Sequence, residues 1–191
     1  MLTPENAELL RSRSALIVGA SSGAVAALNQ LLPVVPQASR IPIIIVVHLP
    51  PNRPSLLPEI FAPRCAALVR EAEDREAVFA GTVWFAPANY HLLIERERTF
   101  SLSVDEPVNF SRPSIDVLFE SAAECFGDGL CAIVLTGAND DGALGAHTVR
   151  RDGGLVIVQD PSTASAPQMP QAALSKCNPQ IVATLPEIAD F

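Results

Sequence analysis

Positive charge is in short supply in this sequence. Thirteen Lys and Arg stand against 21 Asp and Glu, and the formal net charge is −8. Nucleic acid and anionic membrane both ask for a basic face, so neither is expected as a partner. No apolar run approaches the roughly 20 residues of a membrane span, and no membrane insertion is expected. The N-terminal stretch MLTPENAELLRSRS is polar and charged, unlike a secretory signal. The four cysteines, Cys65, Cys125, Cys131 and Cys177, show no metal-type pairing. They read as reduced thiols of a cytoplasmic protein, and no metal or other cofactor is called for. There is no internal repeat.

What is present fits one domain. At 191 residues the chain is long enough to bury a full core, and its apolar fraction of 49% is ordinary. Residues 1–13 read as a short arm and 14–191 as the folded domain. Residues 14–20 predict a buried strand running into a turn of small residues, GASSG, and a helix over about 22–32. IPIIIVVH, 41–48, is a continuous β-branched run, the mark of a strand covered on both faces. A helix is expected over 54–67 despite Pro58 and Pro63, then a short strand at 68–71. TVWFAP, HLLIERE and TFSLSVD read as short strands that include a hairpin. Residues 113–126 place Ile115, Leu118, Phe119 and Ala122 on one helical face, with Pro113 in its first turn. CAIVLTG (131–137) and LVIVQD (155–160) are further buried strands, separated by a helix that ends at Gly153–Gly154. Residues 161–168 read as a surface loop, and two short helical segments finish the chain. Strands alternating with helices predict a doubly wound, mostly parallel α/β sheet with an antiparallel addition.

Three of the buried strands end on chemistry. Ser21 and Ser22 follow the first, His48 ends the second, and Asp141 lies just beyond the third. In open α/β sheets ligands bind at that carboxyl edge. A serine needs a base to take its proton, and the base needs a third group to orient it. Adjacent parallel strands would bring Ser, His and Asp together, in a chain order unlike the familiar serine hydrolases and without GxSxG. Plainer roles exist for each. Either serine suits a helix N-cap, Asp141 before GALGA suits another, and His48 could bond a nearby carbonyl. His147 lies within a predicted helix and reads as structural. His91 is a candidate to line the site, and Arg112 is either a salt-bridge residue or an anchor for a substrate carboxylate. A dinucleotide fold is a rival reading of GASSGAV. However, Val25 stands where a further glycine is needed, the second strand ends in His48 rather than an acid, and Ile94 replaces the lysine four residues after Tyr90.

The ordered set VGASSGAVAAL, VVHLPP, VWFAPANYHL, RPSIDVLFESAA, LTGANDDGALG and QD followed by QMPQAAL resembles the catalytic domain of chemotaxis protein-glutamate methylesterases, the CheB type, from about Ala15 to Ala173. The resemblance implies a three-layer α/β/α sandwich. It implies a serine hydrolase that removes γ-methyl esters from glutamates of chemoreceptors and in many cases deamidates receptor glutamines. It selects Ser21 over Ser22 as nucleophile, His48 as base and Asp141 over Asp140 as the orienting acid. By position, the backbone amides of Ser22 and Ala138 are expected to receive the oxyanion. The partner implied is a methylated chemoreceptor or a similar helical protein; no regulator is named by these residues. The pattern departs from the family at Ala24, Val47, Leu49, Ala138 and Asn139. The residues before Ser14 are too few for the family's phosphorylatable receiver domain, so the sequence is either a stand-alone protein, whose site is then expected to be open to substrate at all times, or a piece of a longer chain. Two further readings follow from the departures: a binding or regulatory module that keeps the fold, and a related esterase or deamidase with a non-chemoreceptor substrate.

Overall fold

A computed structural model describes residues 12–50 and 52–190. Residues 1–11 of the expected arm lie outside the described residues. The centre of the fold is strand β1 (Ala15–Ala20), buried along almost its whole length. On one side it pairs in parallel with β2 (Ile43–Val47), and on the other with β7 (Leu130–Val134). Beyond β2 come β4 (Thr82–Phe85) and then β3 (Leu68–Glu71), and beyond β7 come β8 (Leu155–Gln159) and β9 (Ile181–Ala183). All six pairings are parallel, and the order is β3-β4-β2-β1-β7-β8-β9. From β1 the chain first builds the β2 side, passing from β2 to the edge strand β3 and back to β4 between them, and then the other side outward through β7, β8 and β9. The carboxyl end of β1 sits at the switch point, where doubly wound sheets open a crevice.

Two apolar layers cover the sheet. Ile17, Ile44, Val46 and Trp84 face one side, together with the buried faces of α3 (Ile115–Phe126), α4 (Ala143–Arg151) and α5 (Gln168–Cys177). Val18, Ile43, Ile45 and Val47 face the other, with α1 (Ala24–Leu31), α2 (Leu57–Phe61) and α6 (Leu185–Ala189). This is the three-layer α/β/α sandwich. The separate hairpin β5 (His91–Ile94) and β6 (Phe100–Ser103) is the antiparallel addition, and it packs on the α3 side. In α3, Ile115, Leu118, Phe119, Ala122 and Ala123 are all buried, at the three- and four-residue spacing of a core-facing helix. Full burial of each large apolar side chain here stabilises the fold by about 1.5–3 kcal/mol.

Several elements differ from the sequence expectation. TVWFAP contributes β4 to the parallel sheet and is not part of the small antiparallel unit. The helix expected over 54–67 is only Leu57–Phe61, with a single tighter turn at Ala62–Arg64. Pro58 sits in its first turn and Pro63 follows its end, because proline lacks the N–H a helix interior requires. Helix α3 starts at Ile115, so Pro113 precedes the Ser114 N-cap and is not in the first turn; the Arg112–Pro113 peptide is cis. The segments after Gln168 include an edge strand, β9, between their two helices.

Candidate active site

The turn after β1 keeps its place through main-chain bonds. Ser21 N–H donates to Thr136 O at 2.9 Å, and Ala24 N–H donates to Ser21 O at 2.9 Å. The N-cap of α1 is Gly23, at φ +87, and no side chain caps that helix. Neither serine side chain is therefore used as a cap, and Ser21 Oγ is left for other work. The His48 N–H donates to Ala20 O at 3.2 Å, so the β1–β2 ladder carries on to the histidine. Its ring lies between the two other groups: Nδ1 is 3.1 Å from Ser21 Oγ and Nε2 is 2.7 Å from Asp141 Oδ2.

Asp141 is fully buried. It does not cap its own helix, whose N-cap is Gly142. Instead it caps α3. Ile115 N–H donates to Oδ2 at 2.6 Å and Asp116 N–H donates to Oδ1 at 3.2 Å. Ser114 Oγ and Asn109 Nδ2 donate to Oδ1 at 2.8 and 3.0 Å. Burial works to raise the carboxyl's pKa, but the hydrogen bonds from His48, Asn109, Ile115 and Ser114 outweigh it and hold Asp141 below the usual carboxylate range. A fixed carboxylate can only accept, so His48 carries its hydrogen on Nε2 and offers the Nδ1 lone pair to the Ser21 hydroxyl. The ring nitrogens are thus exchanged relative to the chymotrypsin arrangement, in which Nε2 faces the serine. Either nitrogen can accept a proton, so the relay is chemically equivalent.

The start of α3 can reach Asp141 because glycines make room for Ile115. A Cβ on Gly142 would come within 2.7 Å of Ile115 Cγ2, and one on Gly19 would overlap the same side chain. Gly142 also has φ +89, in the region that favours glycine. A second carboxylate stands behind the first. Asp116 accepts from Gly145 N–H at 2.7 Å and from Asn109 Nδ2 at 2.9 Å. Burial, and then the Asp141 charge among other causes, raise its pKa to about 6, against the lowering pull of the Gly145 and Asn109 hydrogen bonds. Asn109 bridges the two acids from a left-handed backbone, φ +49, which asparagine tolerates better than most residues.

The expected oxyanion donors are available. Both Ser22 and Ala138 are exposed, and neither N–H donates to a protein acceptor among the described residues. The segment 161–168 is more than a surface loop. Ala166 N–H donates to Thr136 Oγ1, Thr136 Oγ1 donates to Ser22 O at 2.8 Å, and Gly137 N–H donates to Ala166 O. Buried Gln159 takes the Thr136 N–H at 2.9 Å. These contacts tie the turn carrying Ser21 to the loop carrying Ala138.

His91 and Arg112 sit differently from expectation. His91 is buried, its Nε2 meeting Glu106 O at 3.1 Å and its Nδ1 accepting from Ser114 N–H at 3.2 Å. Both ring nitrogens are spent within the protein, so His91 supports the 104–114 segment and offers a substrate no polar atom. Arg112 Nη1 donates to Val104 O and Asp105 O at 2.7 and 2.9 Å, bracing the same segment. Its other guanidinium nitrogens make no hydrogen bond among the described residues. His147 lies on the exposed side of α4. Among the described residues no cluster of His, Cys, Asp and Glu could hold a metal, and no helix is long and apolar enough to cross a membrane.

Sequence reasoning missed Asn109, Ser114, Asp116, Thr136 and Gln159. The signal for three of them was Asn-x-x-x-x-Ser-x-Asp ahead of an apolar helix, a stretch rich in capping residues. Their acceptor, however, lies on a segment some 25 residues further on, which local pattern cannot supply.

Comparison with known proteins identifies the family. A family model described as CheB methylesterase matches residues 16–191. A Leptospira interrogans protein provisionally named protein-glutamate methylesterase/protein-glutamine glutaminase is 44% identical over 177 residues, which are 93% of this chain and 92% of that one. A Trichodesmium erythraeum protein of the same name is 39% identical over 80% of this chain, but only 44% of its own length is covered. The crystal structure of the Thermotoga maritima CheB methylesterase catalytic domain superposes with a TM-score of 0.89 at 30% identity, covering 93% of this chain and 96% of that one. With a family model over nearly the whole sequence and the fold in agreement, the chain belongs to the CheB methylesterase family.

Proposed function

We propose that this chain is a serine hydrolase that removes γ-methyl esters from glutamate side chains of a chemoreceptor or a similar helical protein. The observation that carries the reading is the hydrogen-bonded series Ser21–His48–Asp141 at the switch-point edge of the sheet. Ser21 Oγ attacks the ester carbonyl while His48 Nδ1 takes its proton. Asp141 holds the ring and stabilises the imidazolium that forms. The Ser22 and Ala138 amides receive the oxyanion, and loss of one such donor typically costs about 3–4 kcal/mol of transition-state stabilisation. His48 returns the proton to methanol, and water resolves the acyl-enzyme. The unpaired cysteines among the described residues suit a cytoplasmic setting.

Methanol release from methylated receptor membranes tests this. The native protein and Ser22→Ala should release methanol, since Ser22 is given a role through its backbone, and Ser21→Ala should not. Equal losses in both variants would contradict the choice of nucleophile. No methanol from a native protein whose Ser21 still reacts with a serine-directed probe would point to a different substrate.

A further inference from the structure

Asn139 stands beside the reacting pair, and the mechanism above does not use it. Its Nδ2 is 3.5 Å from His48 Nδ1, the nitrogen that also faces Ser21 Oγ. Its Oδ1 accepts from Asp141 N–H at 3.3 Å. Together these contacts set the orientation of the carboxamide. Turned over, it would press N–H against N–H at Asp141 and a carbonyl oxygen against the Nδ1 lone pair. The Nδ1 lone pair is already engaged by the Ser21 hydroxyl, and 3.5 Å is the outer limit of a hydrogen bond. Asn139 therefore holds N–H donors beside His48 and Ser21 with no firm acceptor among the described residues.

Nδ1 is also the nitrogen that must return a proton to the leaving group. The leaving atom has to come within hydrogen-bond reach of Nδ1, and so beside Asn139 Nδ2. We propose that Asn139 is a specificity-determining residue: its N–H donates to the leaving oxygen of a methyl ester and meets the –NH2 of a glutamine donor to donor, so the site favours ester hydrolysis over deamidation. The inference rests on the methylesterase reading above.

The two reactions differ only at this atom. In ester hydrolysis the Ser21 Oγ–C bond forms and the Ser21 proton moves to Nδ1. The C–O bond then breaks with its electron pair going to the methoxy oxygen. That oxygen gains charge, takes the Nδ1 proton and departs as methanol. It has a lone pair left over for Asn139 throughout, and the bond strengthens as charge builds. In deamidation the C–N bond breaks, and the nitrogen takes the same proton to leave as ammonia. Its one lone pair is needed for that proton and its two hydrogens are donors, so Asn139 finds no acceptor. A polar group built for one partner discriminates against another that leaves it unpaired.

The test uses one helical peptide in two forms, with γ-methyl glutamate or glutamine at the same position. kcat/KM reports acylation for each, read as methanol or ammonia. Asn139→Ala should lower the ester value about tenfold and leave the amide value unchanged or higher, so the ester-to-amide ratio falls. Asn139→Asp, which replaces donors with acceptors, should move the ratio further the same way. If Asn139→Ala fails to fold, Asn139→Gly serves in its place. Equal falls in both values, or an unchanged ratio, would overturn the proposal, because a residue that merely supports His48 affects both substrates alike. A native protein labelled at Ser21 yet inert on both peptides would overturn the methylesterase reading itself, and the proposal with it.

Discussion

The two flanks of His48 are built on opposite principles. On the acid flank Asp141 is fully buried, and it accepts from His48, Ile115, Asp116, Ser114 and Asn109. On the serine flank Ser21 is only half-buried, its bond to His48 is longer at 3.1 Å, and the neighbouring Ser22 and Ala138 amides meet no acceptor among the described residues. On the function proposed above, one flank is finished before substrate arrives and the other is left for substrate to complete. Preorganisation of this kind places the reorganisation cost in folding and not in the reaction.

The contrast can be broken from either side. Ser21→Ala should have the largest catalytic effect, a fall in kcat of about a millionfold, with unfolding free energy within about 0.5 kcal/mol of the native protein. Urea denaturation alongside the assay would show whether the serine flank is as free of structural duty as it looks. Asp141→Asn should cost about ten-thousandfold in kcat and also about 3 kcal/mol of stability, because it sets an –NH2 among the five donors the carboxylate now accepts from. A variant that loses activity at full stability would remove the structural half of the comparison.

The carboxylate pair sharpens the contrast through pH. Asp116 is raised to about 6, so the folded state holds that proton more tightly than the unfolded chain. Its contribution is fully present below the ordinary carboxyl pKa and is lost as pH rises toward about 6. Asp141, with its lowered pKa, acts in the opposite sense, and its contribution is lost on acidification. Stability of the native protein minus that of Asp116→Asn should therefore decline between about pH 4 and 6, by at most about 3 kcal/mol. A difference that does not vary with pH would show that Asp116 titrates normally. The smallest effect is expected at Arg112. Arg112→Ala should raise KM about threefold with kcat nearly unchanged, the signature of lost uniform binding. Unchanged kinetics would leave it as a brace for the 104–112 segment alone.

The parts of this molecule legible in the sequence are those with a local cause. IPIIIVV and CAIVL declare strands covered on both faces because every side chain in them is apolar, and the residues that follow such a strand lie at its carboxyl edge. That placed Ser21, His48 and Asp141 together. The edge strand β9, at three residues, is too short to carry a period, and the proline-rich 54–67 segment has helix-like spacing without the N–H groups to sustain it. His91 shows the limit for the site. A histidine beginning HLLI reads the same whether it points to a substrate or to Glu106 O and Ser114 N–H, and only the packed hairpin decides. In the sequence Asp141 reads as either a helix cap or a catalytic acid. The fold has it bond His48 and cap a helix at once, because the helix it caps comes from elsewhere in the chain.

That double placement makes the start of α3 a reporter. The amide protons of Ile115 and Asp116 exchange with solvent only when the Asp141 carboxylate releases them. Their protection in deuterium therefore measures how often the acid leaves its post, in a resting protein and without any substrate. A ligand that engages Ser21 and draws positive charge onto His48 tightens the same carboxylate. It should slow exchange at those two amides, although they lie on the far side of the ring from the ligand.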